Sequence, residues 1–141
     1  MLCREVMQSS VQCVSTDTTV AKAAARMRDD GLGLLPICDA AGKVVGTLTD
    51  RDIAVRVVAE RRSTHEPVER FMTRPVITCR SGDDLSVAQD LMSEMQVARI
   101  ICLDEYGGFE GVLSLVDIAQ SSQPAAATAA LRDMSGREAG A

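Results

Sequence analysis

Shifted by 65 residues, the chain lies on itself. Val6–Ile53 aligns with Phe71–Ile118 without a gap, and ten of the 48 aligned positions are identical. The matches are Met7/Met72, Val11/Val76, Ala23/Ala88, Met27/Met92, Asp39/Asp104, Gly42/Gly107, Gly46/Gly111, Leu48/Leu113, Asp52/Asp117 and Ile53/Ile118. Most other pairs keep their polarity, as in Val20/Leu85, Leu35/Ile100 and Thr49/Ser114. Such a repeat limits the fold more than any single motif, because one supersecondary unit must satisfy both copies.

Each copy carries the same punctuation. Short extended pieces at Val11–Val14 and Val76–Cys79 lead to capping clusters, Asp17-Thr18-Thr19 and Gly82-Asp83-Asp84. Val20, Ala23, Ala24 and Met27 follow helical spacing, and Gly31 closes that helix; Leu85, Ala88, Leu91, Met92 and Met95 make the second stripe. Two strands follow across a tight turn, Leu34–Cys38 into Lys43–Leu48 and Arg99–Leu103 into Phe109–Leu113. A closing helix then shows an apolar face at Ile53, Ala54, Val57 and Val58, while its counterpart is cut short before Pro124. One copy alone would leave a sheet face bare. The pattern therefore predicts an α/β (α+β) fold of two tandem β-α-β-β-α repeats, related by a pseudo-twofold axis with their sheets packed face to face. Repeat one takes residues 1–62 and repeat two 63–120. The Ala-rich tail, 121–141, is expected to be flexible or a marginal helix around Ala125–Met134.

Charge and composition remove several functions. A net charge of −5 and a pI near 4.8 supply no basic stripe to displace counterions, and Phe71, Phe109 and Tyr106 are the only aromatics. Nucleic-acid binding is not expected. No apolar run reaches the roughly 18 residues of a membrane span, and no secretion signal leads the chain. The five cysteines form no C-x-x-C pair, and Cys13, Cys38, Cys79 and Cys102 read as small apolar side chains, in a reduced, cytoplasmic protein with no metal site. His65, the only histidine, stands in a polar link and reads as a solvated or capping residue.

The chemistry concentrates where the second hairpin strand hands over to a helix. In Gly46-Thr47-Leu48-Thr49-Asp50-Arg51-Asp52-Ile53, the turn gathers a hydroxyl, carboxylates and a guanidinium beside helix-terminal N–H groups. A carboxylate accepts protons from a ribose diol, and a helix start attracts an anion. Gly111-Val112-Leu113-Ser114-Leu115-Val116-Asp117-Ile118 repeats the turn with Ser114 for Thr49, but Leu115-Val116 replaces Asp50-Arg51. Arg51 can fork onto a phosphate, so the first turn is expected to prefer a phosphorylated ligand and the second to hold a less charged one or stay empty. Arg74 and Arg99 are further sources of charge. No set of residues for general acid–base or nucleophilic catalysis can be assembled, so an enzyme is not expected.

These residues resemble the paired cystathionine-β-synthase (CBS) domains, also called a Bateman module, over roughly residues 1–120. The likeness rests on the Val-x-Cys-Val-x-x-Asp-x-Thr-Val opening, Leu-Pro-Ile on the middle strand and the Gly-x-x-Thr-x-x-Asp-Ile close. Met72-Thr73-Arg74-Pro75, Arg99-Ile100-Ile101 and Gly111-x-x-Ser114-x-x-Asp117-Ile118 give the second copy. The resemblance implies adenine-nucleotide binding, AMP or ATP above all, in inter-repeat clefts. Asp52 and Asp117 would hold ribose hydroxyls, with Thr49 and Ser114 on the ribose or α-phosphate. The base would lie against Val11, Cys13, Pro36 and Ile37 in one cleft and Val76, Thr78, Ile100 and Ile101 in the other. It also implies a homodimer, for which Ile53, Val57 and Val58 offer a face, and a regulated protein partner. The expected function is thus a stand-alone regulatory module that needs no cofactor beyond its nucleotide ligand. The alternative is a ligand-independent interaction scaffold of the same fold.

Overall fold

A computed structural model describes residues 1–121 and 131–132. The helix expected in the tail therefore lies outside the described residues, apart from Leu131 and Arg132. The described chain divides into two compact units: Met1–Ser10 together with the described residues from Ile77, and Val11–Val76. Each is a mixed α+β unit built on a three-stranded sheet.

The Val11–Val76 unit runs β1 (Val14–Ser15), α1 (Val20–Asp30), β2 (Leu34–Cys38), β3 (Val44–Thr49) and α2 (Asp50–Asp52). Helix α2 continues through a π-helical stretch, Ile53–Val58. The sheet order is β1-β2-β3, with β1 parallel to β2 and β3 antiparallel to it. Local chemistry fixes these limits. Thr19 caps α1 by accepting the Lys22 N–H, and Gly31 ends it at a positive φ of 65°, where its N–H reaches the Met27 carbonyl. Asp39 folds the hairpin, its Oδ1 accepting the N–H groups of Ala41 and Lys43. Val20, Ala23 and Met27 from the helix meet Leu35, Ile37 and Leu48 from the sheet in a continuous core.

The other unit repeats the order with β4 (Thr78–Arg80), α3 (Leu85–Met95), β5 (Arg99–Leu103), β6 (Phe109–Ser114) and α4 (Leu115–Ala119). Asp84 caps α3 in place of Thr19, Gln96 takes the left-handed position of Gly31, and Asp104 folds the hairpin as Asp39 does. The repeat order expected from the sequence is thus present twice, with strands β1 and β4 starting later than the extended pieces.

The compact units are not drawn as the sequence period suggests, with a division after residue 62. Ahead of each repeat stands a 3-10 turn, Cys3–Glu5 or Val68–Arg70, and each turn belongs to the unit of the other repeat's sheet. Gln8 exchanges backbone hydrogen bonds with Val112, at 2.8 and 3.1 Å, and Thr73 does so with Thr47, at 2.8 and 3.2 Å. Met1 and Glu66, equivalent in the repeat, give their carbonyls to the first N–H groups of α3 and α1. Such close approach explains two repeated glycines. A Cβ on Gly46 would strike the Met72 thioether, and one on Gly111 would come within 2.7 Å of the Gln8 carbonyl oxygen and 2.9 Å of the Met7 sulfur.

Two expectations need correction. Cys13 and Cys38 are joined as a disulfide, with Cα atoms 5.8 Å apart, so these two are not free apolar thiols. The apolar face of α2 is also split: Val57 is fully buried and Ile53 packs on the core, while Val55 and Val58 stand 48% and 65% exposed. Cys3, Cys79 and Cys102 are free and buried as a group. Their sulfurs lie 3.9 Å (Cys3–Cys79) and 3.6 Å (Cys79–Cys102) apart. The contact with Cys102, together with burial, pushes the Cys79 thiol up to about 12, and the contact with Cys79 raises Cys3 as well. Both remain protonated and serve as core atoms.

Candidate functional site

Both strand-to-helix turns are capping boxes. The Thr49 hydroxyl accepts the Asp52 N–H at 3.0 Å, and the Asp52 carboxylate accepts the Thr49 N–H at 2.9 Å. At the second turn the Ser114 hydroxyl and Asp117 carboxylate repeat the exchange at 3.1 and 3.0 Å. Thr49 and Ser114 keep extended backbone so that strand and helix meet at a fixed angle. A further backbone bond, Asp50 N–H to Gly33 carbonyl or Leu115 N–H to Ala98 carbonyl, ties each turn to the start of the middle strand.

The acids are held from a second direction. The Thr73 hydroxyl lies 3.3 and 3.2 Å from the two oxygens of Asp52, and the Gln8 amide donates to Asp117 at 3.1 Å. Arg56 adds a long ion pair to Asp52 at 3.8 Å and donates to the Phe71 carbonyl at 3.1 Å. The Asp52 side chain is only 12% exposed, yet each of its oxygens keeps acceptor capacity.

Around that frame the turns differ. Asp50 and Arg51 are exposed, and the Arg51 guanidinium has no ion-pair partner among the described residues. In the second turn Leu115 is buried in the core and Val116 is exposed. The sequence suggests no cation there, but the sheet register brings one. Arg99 is the direct antiparallel partner of Ser114, whereas Leu34 occupies that place beside Thr49. Arg99 is exposed and likewise unpaired among the described residues. Arg74 is exposed too, beyond the lead-in residue Thr73.

The residues expected to receive the base divide by sheet face. Strand alternation sends Ile37 and Ile100 into the hydrophobic clusters of their own units, where both are buried. Pro36 and Ile101 stand on the opposite face, the one shared with Leu34 and Arg99, and are buried there too. Val11 is buried and Val76 half-buried just outside their strands. Cys13 is tied to Cys38, while Thr78, its counterpart, is exposed and lines a cavity of about 320 Å³ with Arg80, Asp83, Val87 and Leu103. Sequence reasoning missed Gln8 and Thr73. The signal was available, since both follow the repeated methionine, Met7 or Met72, at equivalent places.

A family profile described as the CBS domain matches residues 3–59 and again 68–123. This chain belongs to the CBS-domain family. CBS domain-containing protein YhcV of Bacillus subtilis is 31% identical over 116 residues, spanning 82% of this chain and 81% of its own length. An uncharacterised protein of Methanocaldococcus jannaschii is 35% identical over 106 residues; the alignment covers 75% of this chain but only 25% of that protein. Among solved structures, the CBS domain pair of protein MJ0100 in complex with 5′-methylthioadenosine and S-adenosyl-L-methionine superposes with a TM-score of 0.76. It is 25% identical, with 85% of this chain and 94% of that one covered. No helix among the described residues of this CBS pair is long and apolar enough to cross a membrane. No group of three or more His, Cys, Asp or Glu among them is placed to hold a metal ion.

Proposed function

We propose that this CBS-domain protein is a regulatory module that binds adenosine-type ligands at its two strand-end turns and passes their occupancy to a protein partner. The observation that carries this reading is the paired capping box, in which Asp52 and Asp117 are fixed acceptors beside a hydroxyl and an arginine that has no ion pair among the described residues. A ribose diol donates to the carboxylate, and Arg51 or Arg99 meets a phosphate or another anionic group. The base would lie against Val11 and Pro36 in one case and against Val76, Thr78 and Ile101 in the other, chiefly through backbone groups, since Pro36 and Ile101 are themselves buried. The 5′-methylthioadenosine and S-adenosyl-L-methionine bound to the similar MJ0100 pair support the ligand class. Binding regulates by favouring one arrangement of the chain over another, and no step of catalysis is invoked. In this reading the protein is cytoplasmic and homodimeric, with Val55 and Val58 supplying apolar contact.

Calorimetric titration of nucleotide-stripped protein with AMP, ADP, ATP, 5′-methylthioadenosine and S-adenosylmethionine tests the proposal. Asp52→Ala and Asp117→Ala are each expected to weaken one site about 100-fold, the equivalent of two hydrogen bonds to a charged group. Absence of heat with all five ligands would refute the reading and favour an interaction scaffold instead.

A further inference from the structure

The two acids sit in capping boxes, but a box alone holds only one edge of a carboxylate. The second hold comes from a residue far away in sequence. Thr73 spans both oxygens of Asp52 with one hydroxyl, and Gln8 donates its amide N–H to Oδ1 of Asp117 while Ser114 N–H occupies Oδ2. Gln8 and Thr73 are equivalent in the repeat. Neither is loosely placed, because each exchanges two backbone hydrogen bonds with the strand residue two before the cap, Val112 or Thr47. The preceding methionine lies against a glycine of the same strand, which fixes how closely the segment approaches.

An ionised carboxylate offers about four lone-pair directions. The box uses one and the lead-in donor another, while Arg56, 3.8 Å from Oδ1 of Asp52, is beyond hydrogen-bond reach; about two remain, the number that the 2′- and 3′-hydroxyls of a ribose need. We infer that Thr73 and Gln8 are positioning residues that orient Asp52 and Asp117 for a ribose diol, and so set how strictly each turn demands the 2′-hydroxyl. The inference rests on the proposed ligand class. A carboxylate turned away from its optimum would still cap its helix, because the box is independent of the lead-in side chain. It would lose its two-pronged hold on the sugar, and with it the preference for ribose over deoxyribose.

The test compares AMP with 2′-deoxy-AMP, each titrated into the full chain carrying Asp117→Ala so that only the first turn is read. Without further change, AMP is expected to bind about tenfold tighter than its deoxy analogue, the equivalent of one hydrogen bond to a charged group. Thr73→Val should bring the two ligands to near equality by weakening AMP alone, and Thr73→Ser should restore the difference. Gln8→Leu in an Asp52→Ala background is the matching experiment on the second turn, where the exposed glutamine can be changed without touching the core. Should both variants keep the original ratio, the inference is overturned while the ligand class stands. A lower melting temperature with an unchanged ratio also overturns it, since that marks a merely structural contact. If AMP fails to bind at all, or binds regardless of Asp52 and Asp117, the underlying reading fails with it.

Discussion

At Thr49 and at Ser114 the same capping box closes the same strand, yet positive charge arrives from different directions. Arg51 follows the first turn along the helix, whereas Arg99 stands across the sheet from the second, in register with Ser114. The helix position in repeat two is taken by Val116, and the strand position in repeat one by Leu34. Duplication has therefore preserved the frame of the turn (the hydroxyl, the acid, the glycine before them) and left the cation free to move between elements. A shared motif does not imply a shared ligand pose, because a phosphate drawn toward the helix and one drawn toward the middle strand point different ways.

The comparison can be broken first through the disulfide, which repeat one has and repeat two lacks. Cys13 and Cys38, 25 residues apart, correspond to Thr78 and Leu103. Closing a loop of that length stabilises by about 3 kcal/mol, chiefly by restricting the unfolded chain. Reduction, or Cys13→Ser, is expected to lower amide protection in Val11–Val76 and leave the other unit unchanged, as read by hydrogen exchange with mass spectrometry. Equal loss in both units would contradict it.

A smaller effect separates the glycines. Gly111→Ala forces a Cβ against a backbone carbonyl, that of Gln8, whereas Gly46→Ala meets only side-chain atoms, the sulfur, Cγ and Cβ of Met72. The first should cost about 2 kcal/mol and the second clearly less, measured as melting temperatures of the two variants. A reversed order would show that the lead-in of Met1–Ser10 yields more easily than its close backbone bonds suggest.

Smallest is the effect that sharpens the charge comparison. Arg51→Ala should weaken AMP about tenfold at the first turn, and Arg99→Ala should do so at the second, with adenosine itself nearly unaffected by either. Calorimetry in the single-site backgrounds distinguishes them. If adenosine loses as much as AMP, the arginines support the turn and do not meet the phosphate.

Much of this architecture was legible in the sequence because its determinants are local. Thr19 and Asp84 announce helix starts, Gly31 a helix end, and Asp39 with Gly42 a hairpin, each through interactions spanning a few residues. The hydroxyl and carboxylates of Thr49–Asp52 are legible at a helix start for the same reason, whereas the Thr49–Asp52 exchange itself is seen only in the structure. What escaped depends on contacts between distant stretches. Nothing in five cysteines without close spacing selects Cys13 and Cys38 as partners. Arg99 reaches Ser114 only through strand register, and Gln8 meets Asp117 across 109 positions. Which residues of the middle strands join the helix-side core, Ile37 and Ile100 but not Pro36 and Ile101, depends on the sheet face that meets the helix, a choice that their runs of apolar residues conceal.

The exchanged lead-ins also dictate an order of events during synthesis. Residues 11–76 contain everything their compact unit needs, so that unit can close as soon as Val76 leaves the ribosome. The first ten residues must wait, since the strand that receives Gln8 is translated about a hundred residues later. Residues 1–10 are thus made before the compact unit of 11–76 and yet find their place after it.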